Sequence, residues 1–149
     1  MNPSWRSTRW RRTPATTDRA VTRADLARWI QSYERAWRTA GTASLEQLFT
    51  AQATYRDAPF ADPLVGREAI AAFWEAERDG PDEPFTLHWA PVAVEGDVGV
   101  ARVEVAYGDP AVGVYRDLWI VTLEADGRCA AFEEWPFFPA QPLTATDAR

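Results

Sequence analysis

The first part of the chain carries apolar residues at helical spacing. Residues 22–41, "TRADLARWIQSYERAWRTAG", place an apolar residue at every third or fourth step: Leu26, Trp29, Ile30, Tyr33 and Trp37. Side chains at this spacing share one face of an α-helix. Thr22 followed by Asp25 is typical of a helix N-terminus, and Gly41 is typical of the region just beyond a C-terminus. The pattern therefore predicts a long amphipathic helix.

Two shorter helices and a short strand are predicted next. Residues 42–50, "TASLEQLFT", indicate a second helix with Leu45, Leu48 and Phe49 facing inward. Residues 53–60, "ATYRDAPF", indicate a short extended segment that stops at Pro59. Residues 66–80, "GREAIAAFWEAERDG", indicate a third helix. Its apolar stripe contains Ile70, Phe73 and Trp74, and Gly80 follows its end.

From residue 85 onward the apolar positions alternate with polar ones, which is the period of a β-strand. The four candidate strands are "FTLHWAPVAV" (85–94), "GVARVEVAYG" (99–108), "VYRDLWIVTL" (114–123) and "RCAAFEEWPFF" (128–138). Glycine-containing turns at 95–97 and 125–127 connect strands into hairpins. Helices first and strands afterwards predict an α+β fold, with helices laid on one face of an antiparallel sheet.

The pattern alone does not decide which strand faces look inward. On the second long strand an apolar set opposes a charged set: Val103, Val105 and Tyr107 against Arg102 and Glu104. On the third, two aliphatic residues oppose a mixed set: Leu118 and Ile120 against Tyr115, Asp117 and Trp119. The simplest interpretation buries the apolar sets under the helices. However, aromatic residues mixed with charges are common in pockets, and a continuous apolar face can be a dimer surface.

Composition narrows the function classes. The chain has 149 residues, of which 46% are hydrophobic and 13% aromatic, which suits one domain with its own core. The net charge of −6 disfavours nucleic acid as a partner. We find no apolar run that would cross a membrane and no secretory signal, so we expect a cytoplasmic protein. Cys129 and His88 are the only residues of their types, so we expect no internal disulfide, no zinc site and no cofactor.

Both ends of the chain differ from the centre. Residues 1–20 cluster arginines with Trp5 and Trp10 without any periodicity. We interpret this segment as a disordered arm; the alternative is a tail that binds an acidic surface. Residues 140–149 also form a tail by composition, which leaves a single domain over residues 21–139.

A resemblance adds to this interpretation. The order of elements, and above all "LFTAQATYRDAPFADPLVGREAIAAFW" (48–74), resembles the SnoaL-like branch of the nuclear-transport-factor-2-like superfamily. The resemblance covers about residues 22–139. It implies a cone: a strongly curved antiparallel sheet that wraps around the long helix and encloses a pocket. It also implies a homodimer through the outer face of the sheet, which would turn the apolar strand faces toward the partner and the charged faces toward the cavity.

Two enzyme families of that superfamily are similar residue by residue. Ketosteroid isomerases have a tyrosine and an aspartate base that match Tyr33 and Asp57, whereas their second acid falls at Trp119. Limonene-type epoxide hydrolases have a Tyr-x-Asn pair, an Arg-x-Asp pair and a final Asp. The matching residues in this chain are Tyr55 with Asp57, Arg102 with Glu104, and Glu134. The sequence departs from the second pattern by Asp for Asn and by Glu for both Asp residues.

These resemblances, together with strand alternation, define the expected site. The expected catalytic residues are Asp57, Arg102, Glu104, Glu134 and Tyr55. The expected ligand-binding residues are Tyr33, Trp37, Trp74, Tyr115, Asp117, Trp119 and Phe132. Carboxyls sharing a partly apolar cavity with one arginine would have different pKa values and supply both an acid and a base.

We therefore expect a cofactor-free acid–base enzyme of the isomerase, cyclase or epoxide-hydrolase type, with a small, largely apolar organic substrate. The departures from both enzyme patterns motivate the alternative, a noncatalytic ligand-binding or accessory protein. Individual residues have alternatives too. Trp37 and Trp74 would equally suit the core, and Arg102 with Glu104 would equally form a surface ion pair.

Overall fold

The computed structural model describes residues 20–140, in which three helices and six strands form one unit. The helices are α1 (Arg23–Trp37), α2 (Leu45–Leu48) and α3 (Arg67–Glu77). The strands are β1 (Phe49–Arg56), β2 (Leu64–Val65), β3 (Phe85–Glu95), β4 (Val98–Tyr107), β5 (Gly113–Leu123) and β6 (Cys129–Phe137). Residues 1–19 and 141–149, which make up nearly all of the predicted arm and tail, lie outside the described part of the chain.

The strands form a single curved sheet in the order β2-β1-β6-β5-β4-β3. The predicted α+β class, with three helices before four long strands, is confirmed. Two details differ from expectation. The sheet is not closed into a barrel, because β2 and β3 lie at opposite edges and do not pair. It is also not purely antiparallel, because β1 pairs with β6 in parallel.

Helix α1 follows from its sequence. Thr22 and Asp25 form the predicted capping box, which satisfies backbone N–H groups of the first turn. Leu26 and Ile30 are fully buried on the face toward the sheet. A Cβ on Gly99 of β4 would lie 2.9 Å from the methyl carbons of Leu26, so only glycine allows this approach. The apolar stripe therefore fixes α1 against the concave face of the sheet.

Arg78, the residue directly after α3, holds the end of α1. Its guanidinium is buried and donates hydrogen bonds to the carbonyl oxygens of Thr39 and Gly41, both at 2.9 Å, and of Ala36 at 3.3 Å. It also forms an ion pair with Glu75 at 2.7 Å. Carbonyls at a helix C-terminus lack hydrogen-bond donors within the helix, and here the Arg78 guanidinium provides the missing donors. This arrangement fixes the position of the C-terminal half of α1.

Strand β1 begins earlier than the sequence pattern predicts. Phe49, expected on the second helix, is the first residue of β1 and pairs with Cys129 of β6. A helix as short as α2 has little stability of its own, so pairing with the sheet determines the local structure. Strand β2 has only two residues, too few for an alternating pattern to reveal it.

Strand register decides which faces look inward. Residues directly opposite each other in an antiparallel pair lie on the same face. Two inward pairs join β4 to β5, Val103 opposite Asp117 and Val105 opposite Tyr115. The apolar face of β4 and the mixed face of β5 therefore both look toward the helices.

The expectation that Arg102 and Glu104 face the cavity is wrong. Both lie on the outer face of the sheet, where Arg116 donates to Glu104 over 3.1 Å. The resemblance placed the β4 side chains one residue out of phase, which moves every side chain of a strand to the opposite face.

The outer face differs from the predicted dimer surface, because the β4 valines point inward. It nevertheless exposes other apolar side chains, Val114, Trp135 and Phe137. Glu133 and Trp135 face outward, as expected from alternation. The homodimer remains a prediction. Within residues 20–140, no helix has the length and apolar character needed to span a membrane.

Candidate functional site

A half-open cavity of about 460 Å³ lies between the C-terminal half of α1, helix α3 and the inner face of the sheet. Its aromatic lining consists of Tyr33, Trp37, Tyr55, Phe73, Phe85, Tyr107, Tyr115 and Trp119. Its acidic lining consists of Glu34, Asp57, Glu77, Glu83, Asp117 and Glu134. This size and mainly apolar wall suit a small organic molecule.

The cavity brings together most of the predicted site residues. Those that line it are Tyr33, Trp37, Tyr55, Asp57, Tyr115, Asp117, Trp119 and Glu134. The expected catalytic residues Arg102 and Glu104 do not, since they lie on the outer face. Trp74 and Phe132, expected to bind ligand, are 0% and 2% exposed and belong to the core behind the cavity wall. For Trp74, the alternative of a core residue is the one that the structure favours.

The carboxyls of Asp117 and Glu134 form a pair on the inner wall. Glu134 lies opposite Trp119 in the β5–β6 register, and Asp117 lies two residues before Trp119 on the same face. The indole N–H of Trp119 donates to Oε1 of Glu134 over 3.1 Å. Diagonal neighbours on one sheet face are within reach of long side chains, which brings the two carboxyls into hydrogen-bonding contact.

Burial raises the pKa of both carboxyls, because the charged form is poorly solvated in the cavity wall. The pKa of Glu134 lies well above its usual range. Burial is the largest cause, and the hydrogen bond with Asp117 and the negative charge of Asp117 raise it further. The same hydrogen bond lowers the pKa of Asp117, as expected when Glu134 carries the proton and Asp117 accepts it. The pair thus holds one shared proton at higher pH than separate carboxyls would.

A pair of phenols lies beside the carboxyls. The hydroxyls of Tyr33 on α1 and Tyr55 on β1 are 2.9 Å apart. Burial raises the pKa of both tyrosines well above 10, and the charge of Glu134 adds to the effect. Both phenols therefore remain neutral hydrogen-bond donors throughout the physiological pH range.

Asp57 follows the last residue of β1 and reaches the same cavity. Arg56 donates to the carbonyl oxygen of Pro59 over 3.2 Å, which holds the turn that carries Asp57. The negative charge of Asp57 contributes to the raised pKa of Glu134 and of Tyr55, so the three groups are electrostatic neighbours. The cavity therefore combines a carboxyl pair with raised pKa values, two phenols and a further acidic side chain, which are the groups of acid–base chemistry.

Sequence reasoning missed several lining residues. Glu34, Glu77 and Glu83 line the cavity together with Phe85 and Tyr107. Tyr107 shares the inner face of β4 with Val105, so the correct phase of that strand would have found it. Glu83 lies in a loop where no periodicity applies, and only the folded chain shows that it faces the cavity.

Among residues 20–140, no three His, Cys, Asp or Glu side chains are placed so that they could hold one metal ion. Cys129 is buried in the core, where burial raises the pKa of its thiol, and it does not line the cavity.

The fold and the cavity define the class of protein: an α+β protein with the nuclear-transport-factor-2-like architecture, whose curved sheet and helices form a half-open cavity. Within this class, the sequence model of the SnoaL-like domain matches residues 29–132. The chain belongs to the SnoaL-like domain family, as the resemblance in the sequence predicted.

Several solved structures share this fold. A protein of unknown function with a cystatin-like fold from Methylobium petroleophilum PM1 is 17% identical, with a TM-score of 0.64 over 88% of this chain and 86% of that one. An LEH-like epoxide hydrolase from M. tuberculosis is 9% identical, with a TM-score of 0.59 over 76% and 84% of the two chains. A candidate ketosteroid isomerase from Kribbella flavida is 16% identical, with a TM-score of 0.57 over 83% of each chain. No curated protein matches the sequence.

Proposed function

We propose that this protein is a cofactor-independent enzyme that catalyses proton transfer to and from a small, largely apolar organic substrate. The observation that most strongly supports this proposal is the buried Asp117–Glu134 pair, which shares an aromatic cavity with Asp57. A raised pKa keeps an acid available near neutral pH, and a separate carboxylate in the same cavity supplies the base.

An isomerisation fits these groups best. Asp57 would take a proton from the carbon next to a substrate carbonyl, and the C–H electron pair would form a carbon–carbon double bond. The carbonyl oxygen would become an enol oxygen stabilised by the proton of Glu134 and by the phenols of Tyr33 and Tyr55. Return of the proton from Asp57 to another carbon would complete a double-bond shift, with no net gain or loss of atoms.

Two features favour isomerisation over epoxide opening. The Arg102 and Glu104 counterparts of the epoxide-hydrolase pattern are on the outer face, so that constellation is incomplete in the cavity. The ketosteroid-isomerase pattern keeps Tyr33 and Asp57 in the cavity. Its second acid is displaced by Trp119, but Glu134 lies directly opposite Trp119 and contacts its indole, so a carboxyl is present at that place.

The test measures enolisation of the substrate directly. The chain is incubated in D₂O with small ketones, including 3-cyclohexen-1-one, and deuterium uptake next to the carbonyl and conversion to 2-cyclohexen-1-one are followed by NMR. We expect uptake and conversion above the buffer rate. Asp57→Asn and Glu134→Gln should lower the rate by about 10²- to 10⁴-fold, the usual contribution of a general acid or base.

The matched control is Glu133→Gln, on the same strand but on the outer face, where Glu133 accepts a hydrogen bond from the indole of Trp135. It should keep the parental rate. Parental rates in Asp57→Asn and Glu134→Gln would contradict the proposal. Binding of the ketones without any deuterium uptake would favour the noncatalytic ligand-binding alternative, and hydrolysis of styrene oxide in a parallel assay would favour epoxide opening.

A further inference from the structure

The cavity is acidic without a basic counterpart. Within residues 20–140, its lining includes six carboxyl side chains and no arginine or histidine. Among the described residues, only Glu34 of these six has a basic ion-pair partner, Arg38 at 2.9 Å. The cavity thus concentrates negative charge and leaves most of it uncompensated by the described residues.

One of these acids is buried and incompletely bonded. Asp117 is 3% exposed, lines the cavity, and its Oδ1 receives no hydrogen bond from the N–H and O–H groups of the described residues. A buried carboxylate without a cation is costly. The proton shared with Glu134 removes one charge of the pair, but the other charge has no positive partner among the described residues.

Aromatic rings form a large part of the cavity wall. Trp37, Phe73, Phe85 and Tyr115 lie along the lining. The face of an aromatic ring attracts cations, and the protein uses this attraction nearby, where the guanidinium of Arg38 lies 3.7 Å from the centre of the Phe85 ring. A ligand with an apolar body and one positive charge would match both the aromatic wall of the cavity and its acidic inner end.

From this combination we infer that the ligand of the cavity is a small organic cation, namely a protonated amine on an apolar or aromatic body. Its ammonium group would lie among Asp57, Asp117 and Glu134, and its body would lie against the rings. The inference rests on the proposed function only for the location of the site. It names a class of ligand and not the substrate of the isomerisation, because a bound ammonium would displace the proton that the isomerisation uses.

Binding of a cation should expel the shared proton. The groups that face the carboxyl pair are Tyr33 from α1, Tyr55 and Asp57 from β1 and its following loop, Tyr107 from β4 and Tyr115 from β5. None of them carries positive charge, so the ammonium would be the first cation that the pair meets. It would stabilise both ionised carboxylates and lower their pKa values, and one proton would leave for the solvent.

The experiment compares three probes of similar shape by isothermal titration calorimetry near pH 7: 2-phenylethylamine, 2-phenylethanol and phenylacetate. We expect the amine to bind at least about tenfold more tightly than the alcohol, and phenylacetate not to bind. The heat of amine binding should differ between phosphate and Tris buffers, because these buffers take up the released proton with different enthalpies. The heat of alcohol binding should not differ.

Variants assign the effect to the carboxyl pair. Glu134→Gln and Asp117→Asn should reduce the preference for the amine and remove the buffer dependence, whereas the matched control Glu133→Gln should keep both. Equal affinity for amine and alcohol would overturn the inference, and so would an unchanged amine preference in both cavity variants. Heat from magnesium chloride alone that disappears in Glu134→Gln would assign the site to a metal ion and would overturn it as well.

The outcome is separable from that of the proposed function. Deuterium uptake in neutral ketones, without tighter binding of the amine than of the alcohol, would contradict the inference and support the proposed function. Amine binding with proton release, but without turnover of any ketone, would leave a binding site for organic cations and remove the proposed isomerisation.

Discussion

Two charged regions lie next to Trp37, and they are built in opposite ways. Trp37 lines the cavity, and its ring also lies 5.7 Å from the guanidinium of Arg78. Arg78 is surrounded by carbonyl oxygens at the end of α1 and by Glu75. Asp117, buried to a similar degree, has another acid, Glu134, as its neighbour and an oxygen without a donor.

This difference separates a structural charge from a functional one. Almost all buried polar groups in folded proteins have partners, because an unpaired group costs free energy. Both terminal nitrogens of Arg78 follow this rule, although its Nε has no partner among the described residues, and the side chain joins α3 to α1. The carboxyl pair departs from it, and such departures with strongly shifted pKa values concentrate at functional sites. The comparison predicts opposite effects of substitution in the two regions.

The largest expected effect is at Arg78. Arg78→Met should lower the free energy of unfolding by about 2–3 kcal/mol, because the buried guanidinium no longer donates to the carbonyls at the end of α1 and the largely exposed Glu75 loses its ion-pair partner. Urea denaturation followed by tryptophan fluorescence measures this loss.

Arg67→Met is the matched control for this substitution. Within residues 20–140, Arg67 makes a long hydrogen bond of 3.4 Å to the Glu46 carbonyl and a 4.0 Å ion pair with the Glu46 carboxylate, so the loss should stay within about 0.5 kcal/mol. Similar losses of unfolding free energy for the two variants would contradict the claim that the contacts of Arg78 stabilise the fold.

The second effect is a dependence of stability on pH. A carboxyl whose pKa is raised by folding binds its proton more tightly in the folded state. Its stabilising contribution is complete below the unfolded pKa of about 4, and it is lost as pH rises through the folded pKa. The free energy of unfolding should therefore fall with rising pH by up to about 1.4 kcal/mol per pH unit and per proton, relative to Glu134→Gln. A constant difference between the two proteins across this range would contradict the raised pKa.

A smaller effect of opposite sign to that at Arg78 is expected at Asp117. Asp117→Asn should raise the free energy of unfolding by about 1 kcal/mol near pH 8, because it removes a buried like charge and its amide can donate to Glu134. Thermal unfolding measures the gain. The same variant should lose amine preference, so stability would rise while function falls. A loss of stability of several kcal/mol would mean that the acid is structural, as Arg78 is.

The smallest expected effect concerns the phenols. Tyr55→Phe should cost about 1 kcal/mol through the lost hydrogen bond to Tyr33, and Tyr33→Phe should cost a similar amount. The double variant should lose less than the sum, because neither partner then remains unpaired. Strictly additive losses in a double-mutant cycle would show that the two hydroxyls do not stabilise each other.

The sequence predicted the elements well, because their signals are local. The cap at Thr22, the apolar stripe of α1 and the turns at 95–97 and 125–127 each need only neighbouring residues, and all are present. Alternation alone also grouped Tyr115, Asp117 and Trp119 on one face. That this face looks inward was an expectation from the resemblance.

The predictions that failed depend on the pairing of segments that are distant in the sequence. Arg102 and Glu104 were placed inside by resemblance, but the register of β4 against β5 puts Val103 and Val105 there. The partnership of Asp117 with Glu134 depends on the register of β5 against β6. Arg78 lies at the polar end of the predicted third helix, and Glu83 has no periodic pattern around it, so their roles appear only when α1, α3 and the sheet are assembled.

The central claim is that the cavity carboxyl pair keeps a proton near neutral pH. Infrared difference spectroscopy of the wild type against Glu134→Gln, near pH 7, measures this proton through the carbonyl stretch of a protonated carboxyl. We predict such a band in the wild type, its absence in Glu134→Gln and its persistence in Glu133→Gln. A wild-type spectrum with only ionised carboxylates at this pH would contradict the account.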